Sequence, residues 1–158
     1  MKCDLNGNVD FEGEWMNNHG IIENDLIVPI SIEEFVIGNE MFKDENITSL
    51  HFSPHLIHLK RIEIGNRCFQ NVREFVIDGF KRLKSVKIGK KCFRICDDEE
   101  RNDGICRITN CSNLRQLEIG DHSFVDFKSF ELSNVNSLQS IKFGGGCFFY
   151  ADFSLKGE

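Results

Sequence analysis

No stretch of the sequence approaches the roughly 18 consecutive apolar residues that a membrane-spanning helix requires. The opening run Met1-Lys-Cys-Asp-Leu-Asn-Gly-Asn8 also lacks the apolar centre of a secretory leader. These two absences lead us to expect a cytoplasmic protein without a membrane span, or a surface location if the chain is a piece of a longer one. Basic charge is in deficit: 19 Lys and Arg face 25 Asp and Glu, giving a formal net charge of −6, which argues against nucleic acid as a general partner. Catalytic signatures are missing as well. There is no glycine-rich phosphate loop, no G-x-S-x-G elbow and no suggestively placed pair of carboxylates, so we expect neither an enzyme nor a cofactor. Aromatic usage is lopsided, with one Trp and one Tyr against 15 Phe.

Those phenylalanines belong to a pattern written five times: apolar-x-x-apolar-x-apolar-Gly-x-x-x-Phe. It reads Ile32, Phe35, Ile37, Gly38, Phe42; then Leu59, Ile62, Ile64, Gly65, Phe69; then Leu83, Val86, Ile88, Gly89, Phe93. It returns as Leu114, Leu117, Ile119, Gly120, Phe124 and as Leu138, Ile141, Phe143, Gly144, Phe148. The glycine intervals are 27, 24, 31 and 24, so the unit is 24 residues with two lengthened copies. A second register runs in phase with the first, as Phe75-Val-Ile77, Cys106-Arg-Ile108 and Phe130-Glu-Leu132. Alternation such as Ile62-Glu-Ile64 suits a strand with one buried face. The glycine then serves either a turn no Cβ would tolerate or the close approach of the next coil. Each Phe points back inside. A coil of this size cannot bury its own apolar face, so stability comes from stacking on its neighbours.

Leu114-Arg-Gln-Leu117-Glu-Ile119 resembles the L-x-x-L-x-L strand segment of leucine-rich repeats. The runs IGNRCF (64–69), IGKKCF (88–93) and IGDHSF (119–124) resemble the BspA-type class of that family, found in bacterial surface proteins and in protists. The resemblance covers about residues 30 to 155 and implies binding through an extended surface, with no catalytic residues to carry over. One departure is plain. The Asn-ladder slot of the family holds Glu40, Arg67, Lys91, His122 and Gly146 instead, so the turns must be hydrogen-bonded differently.

The expected fold is therefore mainly β: a leucine-rich-repeat solenoid of about five 24-residue coils. Main strands near 32–37, 59–64, 83–88, 114–119 and 138–143 should form one parallel sheet. Shorter return strands near 75–77, 106–108, 130–132 and 153–155 should form the opposite wall. Residues 1–30 read as an N-terminal cap or degenerate repeat, with Leu26–Ile30 as a degenerate return strand, and 31–158 as the solenoid. An acidic insertion lies near 95–104. No closing unit follows Ala151–Leu155, which makes the C-terminal edge a candidate for self-association.

Seven cysteines invite a metal or disulfide reading, and Cys92-x3-Cys96 with Cys106-x4-Cys111 superficially resembles a zinc site. Repeat alignment assigns five of the seven to interior slots, where cysteine acts as a small hydrophobe. His51-x3-His55-x2-His58 reads as an exposed turn with no partner carboxylate or cysteine, so no metal site is expected. The column Val36, Glu63, Lys87, Glu118, Lys142 alternates in sign and satisfies itself. Its neighbour Glu33, Lys60, Lys84, Arg115, Gln139 sets three cations side by side, and the turn column Arg67, Lys91, His122 adds to the same coils. Lys60, Lys84, Arg115, Arg67, Lys91 and His122 are thus the candidate binding residues. The expected function is non-enzymatic recognition of a protein partner. The alternatives are a truncated piece of a larger surface or adhesin-type repeat protein with no activity of its own, and a metal-dependent enzyme.

Overall fold

Strands and turns, with no helix, make up the described part of the chain in the computed structural model: residues 2–4, 19–22, 26–94 and 103–157. In chain order the strands are β1 (Lys2–Asp4), β2 (His19–Ile22), β3 (Leu26–Pro29), β4 (Glu34–Ile37), β5 (Ser49–His51), β6 (Arg61–Ile64) and β7 (Glu74–Asp78). They continue as β8 (Ser85–Ile88), β9 (Gly104–Thr109), β10 (Gln116–Ile119), β11 (Phe127–Ser133), β12 (Ser140–Phe143) and β13 (Asp152–Lys156). The main wall is one sheet in the order β1-β4-β6-β8-β10-β12, and the return wall runs β13-β11-β9-β7-β5. Every pairing in both walls is parallel. The chain therefore climbs a β-solenoid of about five turns, one strand per wall per turn.

Register follows the repeat. Phe35, Ile62, Val86, Leu117 and Ile141 lie side by side, as do Ile37, Ile64, Ile88, Ile119 and Phe143. Strand alternation turns both rows inward. On the other wall Leu50, Phe75, Cys106, Phe130 and Phe153 form the facing row. The expected main strands begin two residues later than the pattern does. Its first apolar residue, such as Leu59 or Leu83, is buried in the bend that feeds the strand. Strand β5 was not foreseen: Leu50-His51-Phe52 alternates as Phe130-Glu131-Leu132 does, but Phe52 stands seven residues before Leu59 where the other coils have six, which puts it out of phase with the second register. Leu26–Pro29 does not join the return wall; it pairs antiparallel with His19–Ile22. Of the expected cap, residues 1, 5–18 and 23–25 lie outside the described residues, as do 95–102 of the acidic insertion.

Between the walls runs a stack of phenylalanine rings. Phe42 lies on Phe69, Phe69 on Phe93, Phe93 on Phe124 and Phe124 on Phe148, with centroids 4.9, 5.4, 4.5 and 4.8 Å apart and planes within 13° of parallel. Phe75 and Phe130 tilt against this stack from the return wall. Each fully buried ring contributes about 1.5–3 kcal/mol by leaving water, and aromatic contact adds to that.

The repeat glycine serves close approach rather than the turn. A Cβ on Gly65 would sit 2.6 Å from the carbonyl carbon and oxygen of Gly38; on Gly89 it would meet those of Gly65 at the same distance. The left-handed backbone that reverses the chain lies two and four residues further on, at side-chain-bearing positions. Glu40, Arg67, Lys91 and His122 have φ of 56–63°, and Phe42, Phe69, Phe93, Phe124 and Phe148 have φ of 50–58°. Only the fifth coil has a glycine at the first of these places, Gly146. Holding an L-residue there costs roughly 1–2 kcal/mol, which ring stacking offsets at the Phe but nothing obvious offsets at exposed Lys91. Lys91→Gly should accordingly raise stability by about 0.5–1 kcal/mol and Lys91→Ile lower it by a similar amount or more, read as shifts in the urea midpoint.

Candidate functional site: the outer face of the main wall

Outward residues of the main wall fall into columns because the parallel strands stay in register. Val36, Glu63, Lys87, Glu118 and Lys142 are direct neighbours, so charges alternate from Glu63 onward. The column before the strands is also locked by backbone. Lys60 N–H donates to the Glu33 carbonyl, Lys84 to Lys60, Arg115 to Lys84 and Gln139 to Arg115, at 2.7–2.9 Å.

Side chains change the reading of that second column. Lys60 Nζ reaches Glu33 Oε1 at 2.7 Å, and this hydrogen bond and its charge hold the Glu33 carboxyl below the usual range. Beside it, Arg61 bridges Glu34 at 2.9 Å and also contacts Glu63. Three adjacent free cations are thus reduced to two. Lys84 and Arg115 are exposed and form no ion pair among the described residues.

The turn column lies at the far end of the strands. Arg67 and Lys91 line an open cleft of about 300 Å³ with Asn39, Glu40, Asn66 and Lys90. Its charges are largely matched: Arg67 pairs with Glu40 at 3.3 Å, Lys43 with Glu40 at 3.2 Å and Lys90 with Asp121 at 2.8 Å. Lys43 and then Arg67 hold the Glu40 carboxyl down, while Lys90 and Asp121 favour each other's charged form. His122 sits beneath Gly146, where an added Cβ would meet its Nδ1 at 2.6 Å. The six candidate residues consequently form two groups, Lys60, Lys84 and Arg115 at one end of the strands and Arg67, Lys91 and His122 at the other. A four-residue strand and the glycine step after it separate them, roughly 15 Å.

Turn hydrogen bonding does differ from an Asn ladder in the expected slot; it is displaced by one residue. Asn39 Oδ1 accepts from Asn66 N–H at 2.7 Å, Asn66 Oδ1 from Lys90 N–H at 2.8 Å, and Asp121 Oδ1 from Gly145 N–H at 3.1 Å. A second ladder binds the coils through the slot before each Phe. Cys68, Cys92 and Cys147 thiols donate to the carbonyls of Gly38, Gly65 and Gly120 at 3.0, 2.9 and 3.0 Å, and the Ser123 hydroxyl donates to Gly89 at 2.8 Å. Cys68 and Cys92 are buried, as read, and Cys147 partly so, but all three act as donors and not merely as fillers. Serine in the same slot was the available clue.

Burial alone raises the Cys106 thiol and burial chiefly raises Cys111 to about 11, while the Cys68–Cys92 hydrogen bond draws Cys68 down to about 7 and pushes Cys92 up. Among the described residues no three His, Cys, Asp or Glu side chains gather as a metal site would require. Cys96 lies outside the described residues. Of the histidines, His51 ends strand β5 rather than lying in a turn and stands 3.4 Å from Glu74, while His58 Nδ1 lies 3.2 Å from Arg82.

No helix among the described residues is long and apolar enough to cross a membrane. No protein-family model, curated protein or solved structure matches the chain, so any family relationship rests on the repeat residues themselves.

Proposed function

We propose that the protein is a non-enzymatic recognition scaffold of leucine-rich-repeat type, related to the BspA class, and that its main-wall face binds an acidic segment of a protein partner. The observation that carries this reading is the pair Lys84 and Arg115. They are stacked one coil apart by an N–H···O bond of 2.8 Å, both exposed, and neither is neutralised among the described residues. Like charges on adjacent strands repel, and an anionic segment lying along the column relieves that repulsion. Lys60 flanks the pair but is occupied by Glu33, so it contributes less than its place in the column suggests. The Arg67, Lys91 and His122 group is secondary, since Glu40 and Asp121 already answer most of the charge around it.

Fluorescence anisotropy with a labelled glutamate-rich peptide tests the reading. Lys84→Glu with Arg115→Glu should weaken binding by about tenfold or more and flatten its salt dependence, whereas Lys60→Glu should act less strongly. Equal affinity of the wild-type and doubly reversed chains would exclude this face as the site.

A further inference from the structure

β13 is the outermost strand of the return wall among the described residues, and three features of that strand fit it to its own copy. First, its inward positions are bare. Phe153 and Leu155 occupy the rows of Phe130 and Leu132, which are 1% and 4% exposed, yet they are themselves 50% and 65% exposed. Ile141 and Phe143 of β12 are likewise uncovered at the same end of the main wall, and Phe143 and Phe153 approach to 6.3 Å between centroids. Among the described residues, this end of the two walls is therefore an apolar face rimmed by two strand edges.

Second, the backbone parity is defined. The Lys156 carbonyl accepts from Asn134 N–H, so Lys156 points its peptide groups at β11. By strand alternation Phe153 and Leu155 turn theirs toward the outer edge. Third, the outward residues are Asp152, Ser154 and Lys156, an acid and a base placed evenly about a serine. In an antiparallel pair with a two-fold axis at Ser154, Asp152 of each copy opposes Lys156 of the other. Phe153 opposes Leu155 in the same register, and those residues supply the edge-facing N–H and C=O groups. Charge, apolar contact and backbone parity select one alignment.

We infer that β13 pairs antiparallel with β13 of a second copy of this chain, joining two solenoids end to end as a closed two-fold dimer. An axis perpendicular to the walls brings the β12 edges together as well, covering Ile141 and Phe143. Lys142, on the outer face of β12, is the cation this seam brings towards its own copy, and its flexible stem lets the ammonium swing into solvent. This interface is separate from the basic face around Lys84 and Arg115 and stands whether or not that face binds an acidic partner.

Sedimentation velocity of the 158-residue chain tests the pairing by charge swap. At about 100 μM the wild type should sediment as a dimer. Asp152→Lys and Lys156→Asp, each of which sets like charges opposite one another twice, should each weaken dimerisation by about tenfold or more. The double swap Asp152→Lys with Lys156→Asp should restore it. Circular dichroism of each variant separates a lost interface from a lost fold. A monomeric wild type, a dimer indifferent to both reversals, or single reversals not rescued by the double swap would overturn the inference. Open-ended polymers would overturn it too, since they require head-to-tail contact.

Discussion

Gly89→Ala should destabilise the protein by about 3 kcal/mol or more, at the upper end of what one added methyl does to a packed interior. The methyl carbon would stand 2.6 Å from both the carbonyl carbon and oxygen of Gly65. Its obstacle is backbone, which cannot rotate aside as a side chain can. The Gly65 carbonyl also accepts the Cys92 thiol at 2.9 Å, so pushing the coils apart breaks that bond as well. Gly145→Ala is the control: nothing lies within 4 Å of its added Cβ, and its stability should stay within about 0.5 kcal/mol of wild type. Urea unfolding followed by circular dichroism reads both. Equal midpoints for the two variants would show that the coils do not meet at the glycine column.

Phe93→Ala should cost about 3–5 kcal/mol, the range for emptying an aromatic site. The ring is fully buried, lies face to face with Phe69 and Phe124, and touches Phe75 of the return wall. Alanine recovers nothing from the backbone, because φ at this position is 52° and any L-residue keeps that strain. Phe42→Ala, at a half-buried position of the same stack, should cost less. Coils are coupled only to their neighbours. Loss of the central ring should therefore also broaden the transition, with a lower urea slope. A Phe93→Ala variant as stable as the Phe42→Ala variant would mean that the stack is not the element joining the coils.

The wall strands and their register were legible because apolar residues recur at fixed offsets, and a parallel stack converts sequence offset directly into spatial adjacency. Strand β5 was obscured by spacing, since Leu50-His51-Phe52 alternates but lies one residue further from the next main strand than its counterparts do. The turn was half legible. Glycine marked the right place, but its function proved to be room for the adjacent coil, while Lys91 and Phe93 supply the left-handed backbone. Nothing in the letters distinguishes a Phe at positive φ from an ordinary one. The candidate basic columns were legible as columns, and their neutralisation was not. Whether Lys60 reaches Glu33 or leaves it for Arg61 depends on side-chain paths that residue identity does not encode. Cysteine in the slot before Phe was legible as interior, and its hydrogen bond became visible only once the glycine carbonyl of the adjacent coil stood opposite it.

Each coil joins Gly to Phe by the same four-residue step, whereas the leg from Phe to the return wall varies. It takes six residues from Phe69 to Phe75 and from Phe124 to Phe130, but thirteen from Phe93 to Cys106. Cys106 nonetheless pairs in register with Phe75 on one side and Phe130 on the other. The solenoid thus takes up most of its extra length in this leg, the return from wall to wall varying by a single residue, seven from Phe52 to Leu59 against six from Ile77 to Leu83. Foreign peptides spliced between Phe93 and Gly104 should be displayed without unthreading the stack, which makes this leg a natural port for grafting epitopes or reporters onto the scaffold.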